Sequence, residues 1–356
     1  MTLIAGILNK HTPVLIGDLL ITSNFKPDED VFIPTVLNGK IDFDGNNYPV
    51  ELRQKIYVIS DNLIVGLAGD VQQMTRLLIK IKTEFLNQIV DDTVLSFFLK
   101  NIDTGEFDKI AYLIIAAFKN KELYDFKKYE YGIWKKSVDT LNGEIYAIGS
   151  GASRFIEEAN RFIGIDKMQS PSLAWDSLAL PQSTITNMLA LESFNQRSIQ
   201  KLWGAGFEII YFEGKFKKMD NNAHIIWYGT FNEKLEINFH PILINKYKYH
   251  NGNLGILSSN GNNFNGIAIQ GIDCNIQKGE TINFPDLEWK SLTISNSFFA
   301  VMPNKKFATL NIFLHSKDEL SDVILDLDED GHLLISIKPE LEERVRILIL
   351  EKNGSV

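Results

Sequence analysis

The chain has 356 residues, 45% of them hydrophobic, which is enough apolar material for two domains or for one large domain with an appendage. A formal net charge of −9 argues against nucleic acid or an anionic membrane surface as the main partner. A lone cysteine, Cys274, excludes an internal disulfide framework and suits a reducing, cytoplasmic setting. No basic segment precedes the first apolar run, which Lys10, His11 and Asp18 soon interrupt, so export is not expected. Nor does any apolar stretch reach the roughly 18–20 residues that span a bilayer.

Two short strands open the chain, TLIAGIL and TPVLIGDLLITS, joined by a polar turn at 9–11. A polar stretch over 24–51 containing Pro and Gly reads as an extended loop or hairpin insertion. KIYVISDNLIVGLAGD then predicts two strands turning at 60–62, and QQMTRLLIKIKTEFLNQI an amphipathic helix with apolar residues three and four apart. A second helix is expected over 93–100, followed by the strand AYLIIAAF, another near YEYGIW, and the strand EIYAIGSG running into the helix ASRFIEEANRF. A helix over 184–194 precedes the hairpin FEIIYFEGKFKKM.

Antiparallel strand pairs separated by helices favour an α+β fold of two stacked sheets covered by helices over a doubly wound parallel sheet. Past residue 220 helical periodicity fades. The runs HIIWYGTF, GIAIQGI, SFFAVM, TLNIFL, HLLISI and VRILIL alternate with Asn and Gly clusters, which predicts a second, all-β domain built as a sandwich. The expected division is 1–222 and 223–356.

Thr2 is a candidate nucleophile. Once Met1 is removed, its hydroxyl and a free α-amine belong to one residue, and an α-amine with a reference pKa of about 7.7–8.0 can take the proton of its own hydroxyl. Such a site also needs a cation, an anion to hold it, a hydroxyl for proton transfer and a backbone N–H aimed at the developing oxyanion. Asp18 follows Gly17 at the middle of the second strand, Lys55 starts the third, and Gly69 and Ser150 lie at strand-to-helix turns, so each residue type is supplied.

This combination resembles a proteasome β-type subunit or its bacterial HslV-like relative: Thr2 on a first strand, Gly17-Asp18 at the end of the second strand's apolar run, Lys55 in KIYVI, Ala68-Gly69 at a turn, and Gly149-Ser150-Gly151 before a helix. The resemblance covers roughly residues 2–220 and implies a four-layer αββα sandwich of the N-terminal nucleophile hydrolase type. It further implies that Thr2 attacks a scissile carbonyl, Lys55 lowers the relevant pKa values, Asp18 pairs with Lys55, the Gly69 N–H forms the oxyanion hole and Ser150 assists at the α-amine. Thr22 matches a backbone contact to an extended substrate bound as an added strand. Ile21, Leu67 and Val71 fall where the family lines its first specificity pocket, which Arg53 and Tyr57 reshape, so an apolar side chain before the cut is expected. A peptide or protein substrate, no cofactor, self-assembly into a ring or other homo-oligomer, and an unfolding partner for folded substrates all follow from the resemblance.

The sequence also departs from the family. Lys201 stands where an Asp is common and Gly204 where a Ser is common, in QKLWGAGFEIIYF, which removes part of the support for Ser150 and the amine. The 24–51 insertion is long, and the tail has no counterpart in simple members. Two alternatives therefore stand beside the peptidase: a non-catalytic scaffold of the same fold, and an amidase of that fold acting on small molecules.

Other motifs read as structure. GSGAS lacks the third glycine of a dinucleotide loop and the GK[ST] of a phosphate loop. DLDEDGHLL begins like a calcium loop through Asp326, Asp328, Asp330 and Gly331, but Ile337 stands where the closing Glu belongs, so a hairpin turn is expected. His11, His224, His240, His250, His315 and His332 show no paired metal-ligand spacing, and Cys274 is expected to be a partly buried structural residue.

Overall fold

Short, largely apolar runs build the first strands, β1 (Leu3–Leu8), β2 (Val14–Asp18), β3 (Leu20–Ser23), β4 (Tyr48–Leu52), β5 (Ile56–Ser60) and β6 (Leu63–Gly69), and β1, β2 and β6 are buried on both faces. The structure, a computed structural model, describes residues 2–8, 12–36, 47–102, 105–132, 135–140, 143–162, 173–259, 264–274, 293–314, 322–327 and 333–353. Helices α1 (Val71–Phe85) and α2 (Asp92–Lys100) follow, then β7 (Ile110–Asn120), β8 (Leu123–Tyr131), β9 (Lys135–Thr140) and β10 (Gly143–Gly149). Next come α3 (Ala152–Phe162), α4 (Leu173–Asn195), α5 (Arg197–Gln200), β11 (Phe207–Phe212) and β12 (Phe216–Lys218). The chain is mixed α+β, mostly sheet with few helices.

One six-stranded sheet has the order β12-β11-β2-β1-β10-β9, which puts β1 between β2 and β10; a four-stranded sheet has the order β5-β6-β7-β8. Because alternate residues of a strand face opposite ways, β1 feeds two cores. Ile4 joins Leu15, Ile56, Ile64, Leu113 and Ile148 between the two sheets. Leu3, Ala5 and Ile7 pack instead with Phe155 and Ala159 of α3 and Leu189 of α4. In the same way Leu63, Val65 and Leu67 of β6 face Met74, Leu77, Leu78 and Ile81 of α1. Full burial of each such side chain is worth about 1.5–3 kcal/mol. Asp70 starts α1 by accepting the Gln73 N–H at 3.0 Å.

The remaining elements are β13 (Asn222–Thr230), β14 (His240–His250), β15 (Asn253–Ser259), β16 (Phe264–Ile269), β17 (Thr293–Val301), β18 (Phe307–Leu314), β19 (Val323–Leu327), β20 (Leu333–Ile337) and α6 (Pro339–Lys352). They form a second six-stranded sheet, β16-β15-β14-β13-β17-β18, and the two-stranded hairpin β19-β20. Strands β13 and β17 run parallel, with Asn222 opposite Thr293. This sheet shares a core with α4, since Ile226, Leu243 and Phe299 pack in the same cluster as Met188 and Leu189. Helix α4 is thus buried between two sheets, which is why its apolar residues run around it rather than along one stripe.

Several expectations need correction. TPVLIGDLLITS is not one strand: the chain breaks at Leu19, where the Leu19 and Leu20 N–H groups both donate to Gly204 O, at 3.1 and 3.2 Å. Of the two readings of the 24–51 insertion, the pairing of β4 with β3 fits the hairpin. VRILIL is not a strand but part of α6, because Leu341, Val345 and Ile349 recur four apart and form one buried face, with Pro339 at the start, Glu340 and Glu342 in the first turn and Lys352 in the last. The C-terminal region is therefore not all-β, and α6 with the β19-β20 hairpin lies where a full second sheet was expected. Strands β14 and β15, which no sequence run had marked, turn at Asn251 and Gly252, both with positive φ. Cys274 is exposed, not partly buried. Strands β19 and β20 pair antiparallel as the hairpin reading requires. The Asp328, Asp330 and Gly331 turn, the 9–11 turn, His11, His315 and His332 lie outside the described residues. Among the described residues no helix is long and apolar enough to cross a membrane.

Candidate functional site

Thr2 precedes β1, Asp18 ends β2 and Lys55 precedes β5, so sheet pairing brings three distant residues together. Lys55 Nζ donates to Thr2 Oγ1 at 3.0 Å, to Asp18 Oδ1 at 2.7 Å and to Leu20 O at 2.6 Å. An ammonium has three protons, and all three are placed. Asp18 Oδ1 also accepts the Leu3 N–H at 2.9 Å, and Oδ2 accepts the Gly204 N–H at 2.8 Å. Lys55 and Asp18 are 0% exposed and Thr2 is 1% exposed, so this is a dehydrated ion pair with a hydroxyl attached.

Burial pulls the Lys55 ammonium below its ordinary value, while attraction to Asp18, a hydrogen bond to it and the more distant Glu208 oppose that shift. A cation donating to Oγ1 favours the alkoxide and leaves the hydroxyl proton directed elsewhere, which is what a base needs in order to remove it.

Strand β10 delivers the next residues. Gly149 has φ +91°, and a Cβ there would collide with the Thr2 carbonyl oxygen, so only glycine lets the 149–151 turn close over Thr2. Ser150 Oγ lies 3.4 Å from that carbonyl oxygen, and the Gly151 N–H donates to the same atom at 3.4 Å. Ser150 is exposed and contacts the Thr2 carbonyl, not its nitrogen. Gly69 ends β6 immediately before the Asp70 cap of α1 and is partly exposed.

The expected pocket residues divide. Leu67 and Val71 pack with Tyr57 in the core between the four-stranded sheet and α1. Ile21 is buried on β3 opposite Glu51. Thr22 follows at a bulge in that pairing and is partly exposed. Arg53 is engaged elsewhere: Nε pairs with Glu51 at 2.9 Å, and Nη1 donates to the carbonyls of Gly271 and Cys274 at 3.2 and 3.1 Å.

Sequence reasoning marked the run GIAIQGI, which ends at Ile272, and Cys274, but did not place the 270–274 segment against this region. The Gln54 N–H donates to Gln270 O at 2.9 Å, Tyr57 Oη accepts the Ile272 N–H at 2.8 Å, and Lys82 pairs with Asp273. The run GIAIQGI had marked Gln270, Gly271 and Ile272 as strand, but β16 ends at Ile269, and nothing local says what the segment packs against.

It also missed Glu192. This acid on α4 is 1% exposed and accepts from Thr35 Oγ1, from Ser198 Oγ at 2.5 Å and from the Ala205 N–H at 2.9 Å. Lys201 is exposed and contributes nothing to this network, whereas Gly204 lies directly against Glu192. Among the described residues no group of three or more His, Cys, Asp or Glu is placed to hold a metal ion. No protein-family model and no curated protein matches this sequence.

Proposed function

We propose that this chain is an N-terminal nucleophile hydrolase of the threonine peptidase type, as its resemblance to proteasome β-type subunits implies. One observation carries the reading: Lys55 Nζ sits 3.0 Å from Thr2 Oγ1 while paired with buried Asp18. The packing supports the finer fold as well. Helices α1 and α2 lie on one outer face of the paired sheets and α3 and α4 on the other, the order of a four-layer αββα sandwich.

With Met1 removed, the Thr2 α-amine takes the Oγ1 proton and Oγ1 attacks the scissile carbonyl carbon. The Gly69 N–H meets the oxyanion. Collapse breaks the C–N bond, the leaving amine takes the proton held by the α-amine, and the acyl group remains as an ester on Oγ1. Water, deprotonated by the same amine, hydrolyses the ester and restores Thr2. The chemistry requires no cofactor. Thr22 binds the backbone of the chain before the cut, and Ile21 and the partly buried Val71 receive its apolar side chain, Leu67 being wholly buried against α1. Self-assembly and an unfolding partner belong to the same proposal.

The scaffold reading has its own support: Ser150 reaches the Thr2 carbonyl rather than its nitrogen, and Gly204 offers no hydroxyl. Intact mass before and after exposure to a peptide epoxyketone separates the two. Loss of methionine and one adduct on Thr2, absent in Thr2→Ala, is expected. Retained methionine with no adduct would leave only the scaffold.

A further inference from the structure

The family pattern puts an acid and a hydroxyl where this chain has Lys201 and Gly204, yet the space beside Gly204 is not empty. A Cβ on Gly204 would collide with Glu192 Oε2, so the carboxylate occupies the volume a larger residue at 204 would need. Two successive backbone N–H groups of this turn are held by two different carboxylates: Gly204 by Asp18 at 2.8 Å and Ala205 by Glu192 at 2.9 Å. The Gly204 carbonyl then accepts the Leu19 and Leu20 N–H groups directly after Asp18, at 3.1 and 3.2 Å. Any shift of the turn therefore moves both ends of the Asp18 environment.

We propose that Glu192 is a positioning residue for Thr2: by holding the 204–205 turn against Asp18, its carboxylate keeps Lys55 directed at the Thr2 hydroxyl. The role rests on the reading of Thr2 as nucleophile. Thr35, inside the long insertion, and Ser198 of α5 fix the same carboxylate, so the insertion is tied to the site through Glu192. Among the described residues the titratable groups that face Glu192 are Asp18 at the end of β2 and Tyr247 on β14. Burial raises the Glu192 carboxyl to about 7, Asp18 adds to that shift, and the hydrogen bonds from Ser198, Thr35 and Ala205 oppose it. Its ionisation thus places a second negative charge near Asp18 within the range where the Thr2 amine must work.

Two readouts test this in the full-length protein. The first is the rate of Thr2 modification by a peptide epoxyketone. Glu192→Ala is expected to slow it about tenfold through loosened geometry. Glu192→Gln should stay within about threefold of wild type, because an amide oxygen still accepts from Ala205 and fills the volume.

The second readout needs no activity: the 13C shift of the Lys55 ε-carbon in lysine-labelled protein, assigned with Lys55→Arg. Wild type is expected to show a step near pH 7 as Glu192 ionises, and Glu192→Gln to lack it. A step that persists in Glu192→Gln, or a Glu192→Ala protein modified at the wild-type rate, overturns the role of Glu192 whatever Thr2 does. A step lost in Glu192→Gln with no Thr2 adduct in wild type sustains the link to Lys55 and overturns the nucleophile instead.

Discussion

Gly204 donates its backbone N–H to Asp18 Oδ2 at 2.8 Å, joining positions 186 residues apart in sequence. Its φ of +112° and its contact with Glu192 both exclude a side chain there. Gly204→Ala should lower stability by at least about 2 kcal/mol, since strain at such a backbone position alone costs about 1–3 kcal/mol. Urea unfolding measures it, and a loss below half a kcal/mol would show that the turn relaxes freely.

Removing one partner of the buried pair should cost far more than altering the hydroxyl. Lys55→Met leaves the Asp18 carboxylate uncompensated and is expected to cost about 3–5 kcal/mol. Thr2→Ala leaves one Lys55 proton without an acceptor, about 1–3 kcal/mol, and Thr2→Ser should be near neutral. Unfolding curves for the three variants check this order, which would be reversed if Asp18 were satisfied by its backbone donors alone.

Stability should fall as pH rises toward neutrality because of Glu192. Its folded value of about 7 lies above its ordinary 4.5, so between those values the folded state holds a proton the unfolded state has lost. The stabilisation is complete below about 4.5 and disappears as pH passes 7. Its size is on the order of 3 kcal/mol, at about 1.4 kcal/mol per pKa unit. The difference in unfolding free energy between wild type and Glu192→Gln, followed across this window, isolates the effect; a difference independent of pH would place Glu192 in its ordinary range.

His224 acts in the opposite direction. It is buried, with Nδ1 2.7 Å from Thr186 Oγ1 and Nε2 3.3 Å from Asn222 Nδ2, and burial lowers it from 6.5 to about 3. The unfolded chain binds a proton that the folded chain refuses, so stability is lost as pH falls from about 6.5 toward 3. His224→Gln should flatten that acid limb, which denaturation at pH 4–6 reads directly.

Tyr57→Phe tests the 270–274 segment. The hydroxyl accepts the Ile272 N–H at 2.8 Å and donates to Gln54 O, so its removal leaves two buried backbone groups unpaired. A loss of about 1–3 kcal/mol is expected. Hydrogen exchange at the Ile272 amide should accelerate about tenfold or more, and unchanged exchange would mean that the segment is held by the Lys82–Asp273 pair and Arg53 instead.

The strand run of 3–8 and the 71–85 periodicity were legible because each rests on residues within one turn or one pleat of one another, whereas the Asp70 cap went unread. VRILIL was misread because a continuous apolar run of that length fits a buried strand or a buried helix equally, and only the spacing of Leu341, Val345 and Ile349 onto one packed face decides between them. Strand β14 escaped notice because Lys246, Tyr247, Lys248 and Tyr249 break the expected apolar run, and β15 because Asn253, Gly255, Ser258 and Ser259 leave only three apolar residues in it.

By itself the sequence determined which residue types are available for chemistry: a threonine at position 2, a glycine and an acid within the second apolar run, a lysine opening another and glycines at the 149–151 turn. Tertiary structure alone decided what each one touches. Side-chain direction follows local periodicity, but contact between Thr2, Asp18 and Lys55 depends on strand register, and the recruitment of Glu192 depends on how α4 packs beneath Gly204. Such long-range contacts arise from the sum of many weak burial terms, and no short motif encodes that sum.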